Sequence, residues 1–125
     1  MFGRKKESGL AVNHYEGIPQ FATDYPCKLE LNEQMLTIKR LKPETTVTLE
    51  RSRITSISAM EEENFMLQYH GHAISTSKAK GIKKYYLVIR YDQDKYLAFW
   101  GTAIEYGKFI KMQYGQIDVP SHISL

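Results

Sequence analysis

At 125 residues, with 42% hydrophobic and 25% charged side chains, the chain is sized for one domain around one core. Its 4 Pro and 8 Gly exclude a collagen-like or low-complexity chain, and its apolar content excludes wholesale disorder. Lys and Arg total 17 against 14 Asp and Glu, a net charge of +3 that permits an acidic partner without requiring one.

That charge is unevenly placed. Arg4, Lys5, Lys6 and Glu7 together carry +2, and Lys78, Lys80, Lys83 and Lys84 carry +4, so the rest of the chain is net −3. Residues 1–9 read as a flexible basic arm. Leu10 to Tyr15 fits a short first strand or an irregular lead-in, and Gly17, Pro19 and Pro26 then punctuate the chain. From Cys27 the period is two: Cys27, Leu29 and Leu31 alternate with Lys28, Glu30 and Asn32. Asn32-Glu33-Gln34 makes a turn, and Leu36 and Ile38 continue the alternation into a hairpin partner. After Lys42-Pro43-Glu44, the β-branched run Thr45 to Glu50 predicts another strand, and Arg51 to Met60 a continuation.

Glu61-Glu62-Glu63 reads as a solvated turn. Phe65, Leu67 and Tyr69, alternating with Met66 and Gln68, predict a strand, and His70 to Ile82 a long basic loop. Tyr85 to Tyr91 is the clearest strand, returned through Asp92-Gln93-Asp94 by Lys95 to Trp100. Then the period changes. Thr102 and Glu105 fit a capping box, and Ala103, Tyr106, Gly107, Ile110 and Tyr114, widened by Phe109, mark a helix ending at Gly115. The domain is expected over residues 10–115, with a tail over 116–125. The fold class predicted is mainly β with one C-terminal helix.

Cys27-Lys28-Leu29-Glu30-Leu31, Leu36-Thr37-Ile38, Val47-Thr48-Leu49, Ile54-Thr55-Ser56-Ile57, Tyr86-Leu87-Val88-Ile89, Tyr96-Leu97-Ala98-Phe99-Trp100 and the helix from Ala103 carry a resemblance. Over residues 27–114 the chain resembles the small bacterial pleckstrin-homology-like (PH-like) domains. The resemblance implies a partly open barrel of about six or seven antiparallel strands, capped by the amphipathic helix. It also implies no catalytic residues and a binding or scaffolding role toward phosphoinositides, peptides or other copies. Lys28, Lys39, Arg40 and Lys42 depart from the family's phosphoinositide pattern, and Asn32-Glu33-Gln34 offers an acid where a base is wanted.

The candidate sites follow from residue chemistry. Lys78, Lys80, Lys83 and Lys84 form a loop able to grip phosphate on a lipid head group or a nucleic acid. Tyr86, Tyr96 and Trp100 belong to a late aromatic cluster that reads either as extra core or as an oligomeric contact. Cys27 alone cannot close an intrachain disulfide and reads as a small buried hydrophobe. His70-Gly71-His72 is too sparse for zinc, and Asp92-Gln93-Asp94 lacks the Gly and terminal Glu of a calcium loop. No phosphate loop or nucleophile elbow occurs. The expectation is a non-catalytic module without metal or cofactor, working through a protein partner or self-association. Weak binding of an anionic membrane surface through the lysine loop is the alternative, and nucleic acid ranks below both. No apolar run nears the ~20 residues that span a bilayer and no secretory h-region follows the basic start, so a cytoplasmic location is expected.

Overall fold

The computed structural model describes residues 9–71 and 83–113. Seven antiparallel strands form one sheet: β1 (Leu10–Glu16), β2 (Tyr25–Leu31), β3 (Met35–Leu41), β4 (Glu44–Glu50), β5 (Ile54–Glu61), β6 (Tyr85–Tyr91) and β7 (Lys95–Gly101). Helix α1 (Glu62–His70) lies between β5 and β6, and helix α2 (Ala103–Gln113) follows β7. The strand order is β4-β3-β2-β1-β7-β6-β5, so β1 joins two meanders and leaves β4 and β5 as the edges. A 3-10 turn, Arg51–Arg53, carries the chain from one edge to the other, but the edges do not pair. The result is mainly β, a partly open barrel with a C-terminal helix.

Alternation builds the first meander. Cys27, Leu29 and Leu31 on β2, with Leu36 and Ile38 on β3, point into the core. Leu49 does the same from β4, while Glu44, Thr46, Thr48 and Glu50 stay exposed. The core also takes Leu87, Ile89, Leu97 and Phe99 from the second meander, which shows the sheet curling over itself. Turn chemistry fixes the register. Asn32 Oδ1 accepts the N–H groups of Gln34 and Met35 at 2.8 Å each, and Asp92 and Gln93 adopt the positive φ values (50° and 73°) of a tight hairpin turn. Cys27 is buried, which pushes its thiol pKa up to about 12 and leaves it inert.

Half of the capping box before α2 forms: Glu105 Oε1 accepts the Thr102 N–H at 2.7 Å, while the Thr102 hydroxyl donates to the same oxygen at 2.7 Å and caps no helix N–H among the described residues. These bonds hold the Glu105 carboxyl below its ordinary pKa. The helix faces the core differently from the expected stripe. Phe109 and Met112 are buried, Tyr106 stacks on Tyr85 at 4.2 Å, and Ala103 and Gly107 face outward. The large aromatic and the thioether bury more apolar area than Ala or Gly, so they set the rotation. Tyr114 and Gly115 lie outside the described residues, as do the arm over 1–8 and the tail from 116.

One element differs in kind. Residues 65–69, expected as a strand, belong to α1. Period two placed Phe65, Leu67 and Tyr69 on one face. In the helix Phe65 and Met66 are buried, Tyr69 packs beside them, and Leu67 is 58% exposed. The helix-forming signals were local. Glu62 and Glu63 occupy its first turn, where carboxylates suit the helix dipole, and Gly71 (φ 78°) ends it in the left-handed conformation. Glu62, expected in a solvated turn, is buried.

α1 covers the outer face of the second meander. Phe65 stacks flat on Tyr86 at 4.3 Å, and Tyr15 meets both rings edge-on. Met60, Met66, Val88 and Ala98 complete this second cluster. That is why β6 and β7 are apolar on both faces.

Candidate functional site

The two sheet edges differ, and the difference defines the site. Just past β4 the N–H of Arg51 donates to Gln34 C=O at 2.9 Å, which sets the phase of the β3–β4 ladder. Antiparallel pairs alternate, so Leu36/Leu49, Ile38/Val47 and Arg40/Thr45 exchange bonds across it. The N–H and C=O groups of Glu44, Thr46, Thr48 and Glu50 therefore turn away from β3. No hydrogen bond to them occurs among the described residues.

On β5 the N–H of Glu62 donates to Lys84 C=O at 3.1 Å, which turns the backbone groups of Ile57 and Ala59 outward. Here the edge is covered. Gln113 Oε1 of α2 accepts the Ala59 N–H at 2.7 Å, and a register shift between Ile54 and Ser56 interrupts the strand. Such capping and bulging are the usual ways a sheet protects an edge.

An apolar pocket of about 220 Å³ adjoins the bare edge, lined by Ile18, Pro19, Val47, Leu49, Tyr91 and Leu97. Its rim carries Arg53, whose guanidinium pairs with both carboxylate oxygens of Asp92 and lies 5.6 Å from the Tyr91 ring centre. The pairing raises the Arg53 pKa and lowers that of Asp92. It also occupies the aspartate in the turn that superficially resembled a calcium loop. A second groove, of about 230 Å³, lies between the start of β5 and the end of α2, lined by Ile54, Thr55, Ser56, Ile57 and Met112.

The loop that floors the first pocket is held at two points. His14, 2% exposed, accepts the Ile18 N–H at Nε2 (3.1 Å) and places Nδ1 3.1 Å from Ala22 C=O. These partners fix the neutral imidazole with its proton on Nδ1. Burial lowers its pKa, opposed by the Ala22 bond and the Glu16 charge. From outside, Arg40 donates to Gln20 C=O at 2.7 Å and covers the Phe21 ring at 4.8 Å. Gly17, at φ +117°, starts the loop where any Cβ would meet Tyr96 C=O at 2.6 Å. His14 carried no functional reading in the sequence, because its two backbone partners come from a loop that only folding brings back.

The residues singled out in the sequence fall elsewhere. Tyr86 is fully buried beneath α1, so it is not an interface residue; its ring is core. Its hydroxyl has no hydrogen-bond partner among the described residues, and burial followed by the Glu62 charge drives its pKa far up. Tyr96 is half-buried and donates to Glu16 Oε2, which also lies 2.9 Å from His70 Nε2. Burial, then the Glu16 bond, raises the Tyr96 pKa. Trp100 donates its indole N–H to Asp24 at 2.7 Å. These contacts tie the end of α1 and the β1–β2 loop to the sheet.

Of the lysine cluster, Lys78 and Lys80 lie outside the described residues, as does His72. Lys83 pairs with Glu61 at 3.4 Å, and Lys84 sits over the Trp100 ring at 4.4 Å. Both described lysines therefore have local partners. Among the described residues no cluster of three His, Cys, Asp or Glu side chains could hold a metal, and no helix is long and apolar enough to cross a membrane. Comparison of the chain with family models, with curated proteins and with solved structures returned no match.

Proposed function

We propose that the chain is a non-catalytic, PH-like binding module that works by holding an extended segment of a protein. The observation that carries this reading is the bare β4 edge: four successive outward positions offer backbone donors and acceptors beside an apolar pocket. Strand addition to such an edge draws affinity from main-chain hydrogen bonds and specificity from pockets for alternate side chains. Seven strands with a covered second edge supply a rigid frame for it.

Hydrogen exchange on the intact chain tests the reading. The amides of Thr46 and Thr48 should exchange fast in the free protein, while those of Val47 and Leu49 are protected by β3. Saturating the solution with an extended β-forming peptide should slow Thr46 and Thr48. Exchange at both positions that is already slow in a chain of monomeric mass, or unmoved by every such peptide, would defeat the reading. The anionic-surface alternative has its own measurement in vesicle sedimentation at rising salt.

A further inference from the structure

Resting on that reading, the geometry points to the chemistry of the segment: we infer that β4 takes an antiparallel strand with one apolar residue flanked three positions to each side by Lys or Arg. The side chains of Glu44, Thr46, Thr48 and Glu50 share the outer face, and Val47 and Leu49 point to the inner face. A residue docked opposite Val47 therefore points inward, toward the pocket bounded by Leu49, Tyr91 and Leu97. The residues three positions before and after it stand opposite Glu50 and Glu44. Both carboxylates are exposed and make no salt bridge among the described residues, although Glu50 lies close enough to Arg53 to feel its charge. Lys39 lies one strand further in, opposite Thr46, and Lys42 lies in the turn beyond the strand.

The same two acids oppose a second copy. Antiparallel pairing of β4 with its own copy over its full length sets Glu44 against Glu50 of the other chain, twice. Like charges directly opposite destabilise a ladder, and opposite charges stabilise it by a similar amount. Among the described residues nothing else guards the edge: β4 contains no Pro, Lys or bulge, and its centre is Thr-Thr-Val-Thr. An edge of this kind, opposed to its own full-register copy and uncovered among the described residues, suits a different strand.

Two amidated heptapeptides provide the probe, Lys-Thr-Thr-Leu-Thr-Thr-Lys and its counterpart with Glu at both ends. Each is titrated into the isotopically labelled intact chain and followed through its amide resonances. The Lys-ended peptide should shift Thr46 and Thr48 and bind roughly tenfold or more tightly than the Glu-ended one. The double variant Glu44→Lys, Glu50→Lys should reverse that order. Thr46→Pro removes an outward N–H that β3 does not use, so it should fold and lose binding. Equal binding of the two peptides, or an order that the double variant leaves unchanged, overturns the inference while the module reading stands. Peptide-induced shifts confined to the β5–α2 groove also overturn it and move the site. A free chain of dimeric mass that Thr46→Pro makes monomeric would show that the occupant is a second copy instead. Failure of both peptides to bind at millimolar concentration ends the inference, and with the exchange result above decides whether the module reading falls too.

Discussion

The two halves of the sheet are dressed differently. Strands β5 to β7 are covered inside by the core and outside by α1, and their free edge is capped by α2. Among the described residues, strands β2 to β4 are covered on the inner face only, and nothing bonds their edge. Both halves fold by the same alternation, yet in one the outward positions are aromatic and aliphatic and in the other they are Thr, Glu and Lys. The contrast teaches that apolar residues on both faces of a hairpin indicate a missing cover as readily as an interface. It also explains why the proposed docking edge lies on the half without an outer cover among the described residues.

The sharpest way to break this comparison is to remove the cover. Phe65→Ala should cost about 3–5 kcal/mol in urea unfolding, because a fully buried ring stacked on Tyr86 is deleted. Thr48→Ala, on the bare half, should stay within about 0.5 kcal/mol. A loss below about 1 kcal/mol for Phe65→Ala would mean that α1 is not a structural cover.

The junction of the halves, at His14, should respond to pH. Folding lowers the pKa of His14 below its ordinary value of 6.5, so the folded chain binds fewer protons than the unfolded one between the two values. The His14 contribution is therefore complete above about pH 6.5. It falls as the solution is acidified toward the folded-state value, at no more than about 1.4 kcal/mol per pH unit. Urea midpoints of the wild type and of His14→Gln, compared from pH 7.5 to 5, isolate this slope; equal slopes would remove His14 from it.

At the covered edge, Gln113→Ala should cost about 1 kcal/mol and speed exchange of the Ala59 amide, making β5 resemble β4. Unchanged exchange would mean that the side chain does not guard that edge. A small effect of the opposite sign is expected at Tyr86→Phe, which removes a buried hydroxyl lacking a partner among the described residues. Stability should stay level or rise by up to about 1 kcal/mol, whereas a loss above that would reveal a hydrogen bond.

Much of this architecture was legible along the chain. The alternation at Cys27–Leu31 and Leu36–Ile38, the Asn32 and Asp92 turns and the Thr102–Glu105 cap all depend on neighbours a few residues apart, and each stands where the pattern placed it. Residues 65–69 misled because a short apolar alternation fits one turn of helix as well as a strand. Acids before it and Gly71 after it were the deciding signals. The pocket and the two edges were not legible at all. Edge status depends on which strands meet, and β1 pairing with β7 across eighty-odd residues is what sends β4 and β5 to the rims.

The composition carries a modest positive charge and a surplus of late aromatics. The sequence alone determined how each strand divides its inner and outer residues, because side-chain period and turn geometry are local properties. Tertiary structure alone decided that Tyr86 is roofed by α1, that Lys83 and Lys84 are engaged, and that two glutamates without a salt bridge among the described residues flank the β4 edge. Those outcomes depend on contacts between segments far apart in the chain, and no local period encodes them.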